Sequence, residues 1–97
     1  MTDLDDLRRR LREFAEARDW AQFHAPKNLS MALAAEVGEL LEHFQWLTTE
    51  QSEALPEETR AAVAAELADI QLYLVMLADR LGIDLAEAAR RKIEANE

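Results

Sequence analysis

The chain has 97 residues, of which 49% are apolar and 32% charged, with only two glycines and two prolines. Its formal net charge of -9 argues against a basic face that binds nucleic acid, and the lack of cysteine excludes disulfide and thiolate chemistry. The acidic N-terminus does not resemble a signal peptide, and no apolar run approaches the roughly 20 residues that span a bilayer. We therefore expect one small all-α domain over residues 1–97, cytoplasmic and without a membrane partner.

The first predicted helix is capped by Thr2, and its apolar residues recur at helical spacing from Leu4 onward. This pattern fails near Trp20. Residues 21–27 are predicted to be a connector, because Pro26 disfavours helix in the residue before it.

The second and third predicted helices are the longest. Asn28 is a plausible cap for the second helix, which we expect to run to Leu47, and the polar residues 48–55 are expected to form a loop. Pro56 suits the first turn of the third helix, which extends to about Leu81.

The third helix is predicted to end at Gly82, and Asp84 with Glu87 forms a capping box that opens a fourth, shorter helix. Apolar residues of the second and third helices step by four and three positions, which is typical of a bundle seam. The seam residues are Leu33, Val37, Leu40, Phe44 and Leu47 on one helix and Val63, Leu67, Ile70, Leu74 and Leu77 on the other. The predicted architecture is a four-helix bundle.

Beside each seam lies a pair of acids, Glu36 with Glu39 and Glu66 with Asp69. Residues three apart share one side of a helix, so each pair projects two carboxylates together. An all-oxygen set of this kind favours a hard cation such as Mg²⁺ or Mn²⁺, whereas the alternative is a solvated acidic face. A di-iron bundle is disfavoured because its Glu-x-x-His motif is missing, and zinc because His24 and His43 are the only nitrogen ligands of the kind it prefers.

Three aromatic residues, Trp20, Trp46 and Tyr73, are candidates for stacking on a nucleobase, although each could instead be an ordinary core or interface residue. On the last predicted helix, Lys92 and Asn96 lie four apart and could meet phosphate oxygens. A basic residue near a helix C-terminus is also expected for dipole reasons.

Taken in order, these residues resemble the MazG-type all-α nucleoside triphosphate pyrophosphohydrolases, most closely the dCTP pyrophosphatase branch. The resemblance covers roughly residues 11–96. Its motifs are Arg18-Asp19-Trp20-Ala21-Gln22-Phe23-His24, Pro26-Lys27-Asn28-Leu29, Glu36-Val37-Gly38-Glu39-Leu40, Phe44-Gln45-Trp46 and Glu66-Leu67-Ala68-Asp69-Ile70-Gln71-Leu72-Tyr73-Leu74.

The resemblance implies roles for ten residues. It implies that the four acids hold Mg²⁺, that a second group lines the nucleoside pocket, and that a third contacts phosphates. The four acids are Glu36, Glu39, Glu66 and Asp69. The nucleoside-pocket group is Trp20, His24, Trp46 and Tyr73, and the phosphate-contacting group is Lys92 and Asn96. It also implies a homodimer or homotetramer with pockets between subunits. Where this branch has a substrate-contacting histidine, the chain has Leu11.

We therefore expect Mg²⁺-dependent hydrolysis of a nucleoside triphosphate to the monophosphate and pyrophosphate, with dCTP or a related or modified pyrimidine nucleotide as substrate. Glu36 or Glu39 is expected to accept the proton of the attacking water. The alternatives are a pyrophosphohydrolase for another nucleotide and a non-catalytic module that binds nucleotide or protein.

Overall fold

A computed structural model describes residues 3–97, and all the regular secondary structure in that range is helical. The elements are α1 (Asp3–Ala17), a 3-10 turn (Ala21–Phe23), α2 (Pro26–Glu42), α3 (Thr49–Ser52), α4 (Glu57–Arg80) and α5 (Leu85–Asn96). The all-α prediction is confirmed, and the four predicted helices correspond to α1, α2, α4 and α5. The predicted cap Thr2 lies outside the described residues.

The junction between α1 and α2 is shorter than the predicted connector of residues 21–27, because residues 21–23 form the 3-10 turn and Lys27 already belongs to α2. Pro26 is the first residue of α2, because its fixed φ suits that position and its missing N–H has no helical partner there. Ala25, the residue before it, is extended with φ -59° and ψ 145°, as a residue preceding proline should be. The prediction of Asn28 as the cap is therefore wrong, since Asn28 lies within the first turn of the helix.

The end of α2 also comes earlier than predicted, at Glu42 rather than Leu47. Beyond it the backbone continues in turns. Several of these turns are closed by a hydrogen bond between residues three apart, such as that from Leu47 N to Phe44 O at 2.9 Å. The expected loop then contains the short helix α3. Thr48 and Gln51 form a reciprocal capping box that starts α3, which satisfies two backbone donors.

The predicted end of α4 is confirmed. Gly82 adopts a left-handed φ of 67°, which glycine does without the steric cost other residues meet. The amide of Ile83 reaches back to the carbonyl of Ala78 at 2.9 Å, which completes a Schellman motif. Asp84 then caps α5 through Glu87 N, whereas the Glu87 carboxylate pairs with arginines on its own helix. Only half of the predicted capping box is therefore formed.

Two helix pairs hold the chain together: α2 packs along α4, and α1 packs on α4. The buried apolar side chains are few for 95 described residues, namely Ala15, Leu29, Val63, Val75 and Ala78. Much of the predicted seam is open in the single chain, where Val37 is 47% and Leu67 52% exposed.

By length and composition, α4 could cross a membrane, which the sequence analysis did not anticipate. Such a helix is weak evidence of a span, because the core helices of soluble proteins have the same properties. Here α4 packs on both α1 and α2, and two carboxylates, Glu66 and Asp69, interrupt its middle. Ionised groups at that depth are costly in a bilayer.

Candidate active site

The acidic pairs of α2 and α4 converge where the two helices pack. One carboxylate oxygen from each of Glu36, Glu39 and Glu66 lies within 4.8 Å of the others. Asp69 follows Glu66 by three residues on α4, and its charge also acts on Glu36. We call Glu36, Glu39, Glu66 and Asp69 the acidic cluster. The sequence prediction that residues three apart on two helices would meet is therefore realised geometrically.

Crowding changes the protonation of one member of the acidic cluster. The pKa of Glu36 is raised from 4.5 to about 7, first because burial disfavours its charged form. The carboxyl groups of Glu66 and Glu39 add to the rise, since each favours a shared proton, and the charges of Glu39 and Asp69 act in the same direction. Without a cation, Glu36 is therefore still partly protonated near neutral pH.

Two oxygens of the acidic cluster are buried without a hydrogen-bond donor among the described residues. They are Glu36 Oε2 and Glu66 Oε2. A buried polar atom without a partner is unfavourable. Because both atoms are acceptors inside a group of carboxylates, a cation satisfies them better than a neutral donor does. The donor set is all oxygen and fits a hard divalent metal ion.

The end of α1 determines where Trp20 lies. Asp19 takes a left-handed φ of 55°, and Trp20 N donates to Ala15 O at 2.9 Å, so α1 ends in a Schellman motif. The Trp20 ring then meets Phe14 edge-to-face, with ring centroids 5.5 Å apart. Arg18 lies over the Phe14 ring, 3.5 Å from its centroid. Trp20 is thus held by local contacts while 45% of it stays exposed.

The other predicted nucleoside-binding residues occupy three different elements. His24 is half-buried and follows the 3-10 turn, and Tyr73 is half-buried one turn beyond Asp69 on α4. Trp46 lies past the end of α2 and is 86% exposed, so a single chain gives its ring almost no pocket wall. The structure thus places Tyr73 beside the acids on one helix and leaves Trp46 in solvent.

Lys92 and Asn96, the predicted phosphate-binding residues, are exposed in the last turns of α5. The second half of this helix is exposed throughout, including Ile93 at 62%. The four acids and Tyr73 are therefore grouped on α2 and α4, whereas Lys92 and Asn96 stand on a separate helix whose outer half has no cover within the described chain.

Comparison with known proteins identifies the family of this chain. The model of the MazG-like family matches residues 31–97, which is more than half of the chain and includes the acidic cluster. This chain belongs to the MazG-like family. The resemblance seen in the sequence is thereby confirmed.

Several named relatives of this MazG-like chain are dCTP pyrophosphatase 1 proteins. It is 48% identical to the one from Mus musculus and 50% identical to the one from Bos taurus, in each case over 95 residues, which are 96% of this chain and 56% of the relative. The chain thus spans about half the length of these curated relatives. A crystal structure of a pyrophosphatase from Archaeoglobus fulgidus superposes with a TM-score of 0.92 at 39% identity, covering 100% of this chain and 91% of that one.

Sequence reasoning missed the contacts that fix the connector of this MazG-like chain. Arg80 Nη1 donates to the carbonyl of Ala21 at 3.0 Å, across 59 positions of sequence. Arg12 pairs with Asp79 across a similar distance along the chain. No local pattern marks such pairs. The stacking of Arg18 on Phe14, by contrast, could have been predicted, because the two residues are four apart at the end of α1.

A cleft of about 340 Å³ lies away from the acidic cluster, between the start of α1 and the corner joining α4 to α5. Its walls include Arg8, Arg12, Asp79 and Ile83 and none of the four acids. Arg8 and Arg12 both pair with Asp79, and Asp5 and Asp84 also line the cleft, so acids outnumber arginines there and the cleft does not favour a phosphate.

Proposed function

We propose that this MazG-like domain, residues 1–97, hydrolyses a nucleoside triphosphate to the monophosphate and pyrophosphate, and so removes unwanted nucleotides from the pool. The observation that carries the proposal is the acidic cluster with its two buried oxygens that lack donors. The proposed substrate is dCTP or a related or modified pyrimidine nucleotide. The names of the relatives, dCTP pyrophosphatase 1 and pyrophosphatase, support this choice.

The proposed cofactor is Mg²⁺, which Mn²⁺ can replace, held by Glu36, Glu39, Glu66 and Asp69. These ions prefer oxygen ligands and bind triphosphates. When bound, the ion lowers the pKa of a coordinated water and offsets the charge of the phosphates.

The proposed chemistry is an in-line attack of water on the α-phosphorus. A new bond forms from the water oxygen to the α-phosphorus, and the bond to the α–β bridging oxygen breaks, so that pyrophosphate leaves with the electron pair. Glu36 or Glu39 accepts the proton that the water loses.

Recognition of the substrate is assigned to the residues around the acidic cluster. Trp20, Trp46, His24 and Tyr73 are proposed to surround the nucleoside, because aromatic faces stack on bases regardless of their hydrogen-bonding edges. On α5, Lys92 and Asn96 are proposed to contact the phosphates, where the lysine offsets negative charge.

Assembly is the proposed reason why so much of the seam is exposed. Val37 and Leu67 lie at seam positions on α2 and α4, yet about half of each is open to solvent in the single chain. Chains of this size bury a modest core, and a second copy covering this face would remove apolar surface from water. We propose a homodimer or homotetramer in which Trp46 gains its missing wall from a neighbouring subunit.

The proposed location is the cytoplasm, where nucleoside triphosphates are found. Nucleic acid and membrane are not proposed as partners. The net charge of -9 repels a polyanion, and the central carboxylates of α4 disfavour a bilayer.

The proposed function is tested by measuring pyrophosphate release from a panel of nucleotides in Mg²⁺, comparing the parent with Glu39→Gln and Glu42→Gln. Glu42 is exposed at the end of the same helix and outside the acidic cluster, so it is a matched control. We expect Glu39→Gln to lose at least about 100-fold in rate, which is the typical contribution of a positioned proton acceptor. Glu42→Gln should keep the parental rate. A parent that binds Mg²⁺ and nucleotide without turnover would favour the non-catalytic module.

A further inference from the structure

The last turn of α4 holds the connector between α1 and α2. Arg80 Nη1 donates to the carbonyl oxygen of Ala21 at 3.0 Å. The same oxygen accepts the backbone amide of His24 at 3.1 Å, which closes the 3-10 turn. Ala21 directly follows Trp20, so a single carbonyl, bound by Arg80, lies in the backbone between the two candidate nucleoside-binding residues Trp20 and His24.

The neighbouring residue on α4 fixes α1, which leads into the connector. Asp79 accepts from Arg12 through two hydrogen bonds, from Nε at 3.2 Å and from Nη2 at 2.5 Å. It also pairs with Arg8 Nη1 at 3.7 Å. A bidentate pair fixes orientation as well as distance. Asp79 and Arg80 thus tie α1 and the connector to the helix that carries Glu66 and Asp69.

A simpler reading of Arg80 is that a cation suits the C-terminus of any helix. That reading predicts contact with the final carbonyls of α4 itself. The guanidinium instead bonds to a carbonyl on a different element, 59 residues earlier in the chain.

We propose that Arg80 is a positioning residue, which fixes Trp20 and His24 relative to the acidic cluster by holding the Ala21 carbonyl. The inference rests on the proposed function, in which Trp20 and His24 line the nucleoside pocket. Arg80 is assigned no contact with substrate. Its loss should weaken nucleoside binding and leave the metal site and the chemical step in place.

The test compares Arg80→Ala with Arg80→Lys, which keeps a donor of similar reach, and with Arg9→Ala. The control removes the same charge from an exposed ion pair with Asp6 within α1. Hydrogen exchange of the Phe23 and His24 amides is measured first, without nucleotide. Mg²⁺ affinity, KM and kcat are then measured on the same proteins.

We expect Arg80→Ala to speed exchange of the two amides and to raise KM, each about tenfold, which is the usual effect of losing one charged hydrogen bond. Mg²⁺ affinity and kcat should stay within about twofold of the parent, because the substitution leaves the acidic cluster unchanged. Arg80→Lys should bring the exchange rates and KM most of the way back to the parental values, and Arg9→Ala should behave as the parent does.

Unchanged exchange and KM in Arg80→Ala would overturn the proposal. So would a joint fall in kcat, Mg²⁺ affinity and thermal stability, because that pattern marks a general structural role. If the parent itself releases no pyrophosphate, the proposed function fails, and the exchange comparison still decides whether Arg80 holds the turn.

Discussion

Binding of a divalent cation to the acidic cluster should depend steeply on pH between 6 and 8. Glu36, with a pKa of about 7, must lose its proton before it can act as a ligand. From that pKa, roughly 9% of Glu36 is ionised at pH 6 and roughly 91% at pH 8. The apparent affinity for Mg²⁺ or Mn²⁺ should therefore rise about tenfold over this range.

Titration calorimetry in two buffers of different ionisation enthalpy measures both the affinity and the number of protons released. We expect release of close to one proton at pH 6 and close to none at pH 8. Glu36→Gln should bind more weakly and lose the pH dependence, because its amide carries no titrating proton. Glu42→Gln, outside the acidic cluster, should follow the parent at every pH.

The same pKa sets the pH dependence of stability when no divalent ion is added. The folded chain holds a proton on Glu36 up to about pH 7, whereas the unfolded chain releases it near pH 4.5. Between these values the folded state binds more protons, so this contribution to stability is present below pH 4.5 and is lost as the pH rises through 7. Denaturant titrations with a metal chelator present should show that Glu36→Gln does not lose stability in this way as the pH rises. An affinity that is flat from pH 6 to 8, with no proton released, would show that Glu36 does not titrate in this range.

Three further substitutions test the fold and the assembly. Gly82→Ala should lower the free energy of unfolding by about 1 kcal/mol, measured in urea, because alanine tolerates a φ of 67° poorly; an unchanged midpoint would contradict the Schellman motif there. Thr48→Ala should lose the cap of α3 and about 1 kcal/mol, seen as a melting temperature some 4–8 °C lower, and an unaltered melting curve would speak against the capping box. Leu67→Glu should convert the assembly to monomer in sedimentation velocity at micromolar concentration, since Leu67 is a half-exposed seam residue, and a dimer that survives this charge would exclude the seam as the interface.

The acidic cluster could be predicted because two short spacings determine it. Three-residue spacing puts Glu36 beside Glu39 and Glu66 beside Asp69. The apolar seam on each helix predicts which faces pack together. The raised pKa of Glu36 follows first from its burial between the two helices and then from the neighbouring carboxyl groups.

Local chemistry explains the misses near the helix ends. Asn28 is a good cap in general, but Pro26 two residues earlier already fits the first helical position. The Thr48 and Gln51 capping box was readable as Thr-x-x-Gln, yet it lies in a polar stretch that resembles a loop.

Long-range contacts could not be predicted at all. The hydrogen bond from Arg80 to Ala21 joins residues that no periodicity relates, and it depends on how α1, α2 and α4 pack together. The exposure of Trp46 is equally invisible in the sequence, because a motif specifies which residues recur and not which subunit encloses them.

The central step of the proposed reaction is the attack of water on the α-phosphorus at the acidic cluster. Hydrolysis of dCTP in ¹⁸O-enriched water with Mg²⁺, analysed by mass spectrometry, reads out that step. We expect one ¹⁸O in dCMP, none in pyrophosphate, and labelled dCMP formed at least about 100-fold more slowly by Glu39→Gln. Label found in the pyrophosphate, or an undiminished rate of labelled dCMP formation by Glu39→Gln, would exclude this mechanism.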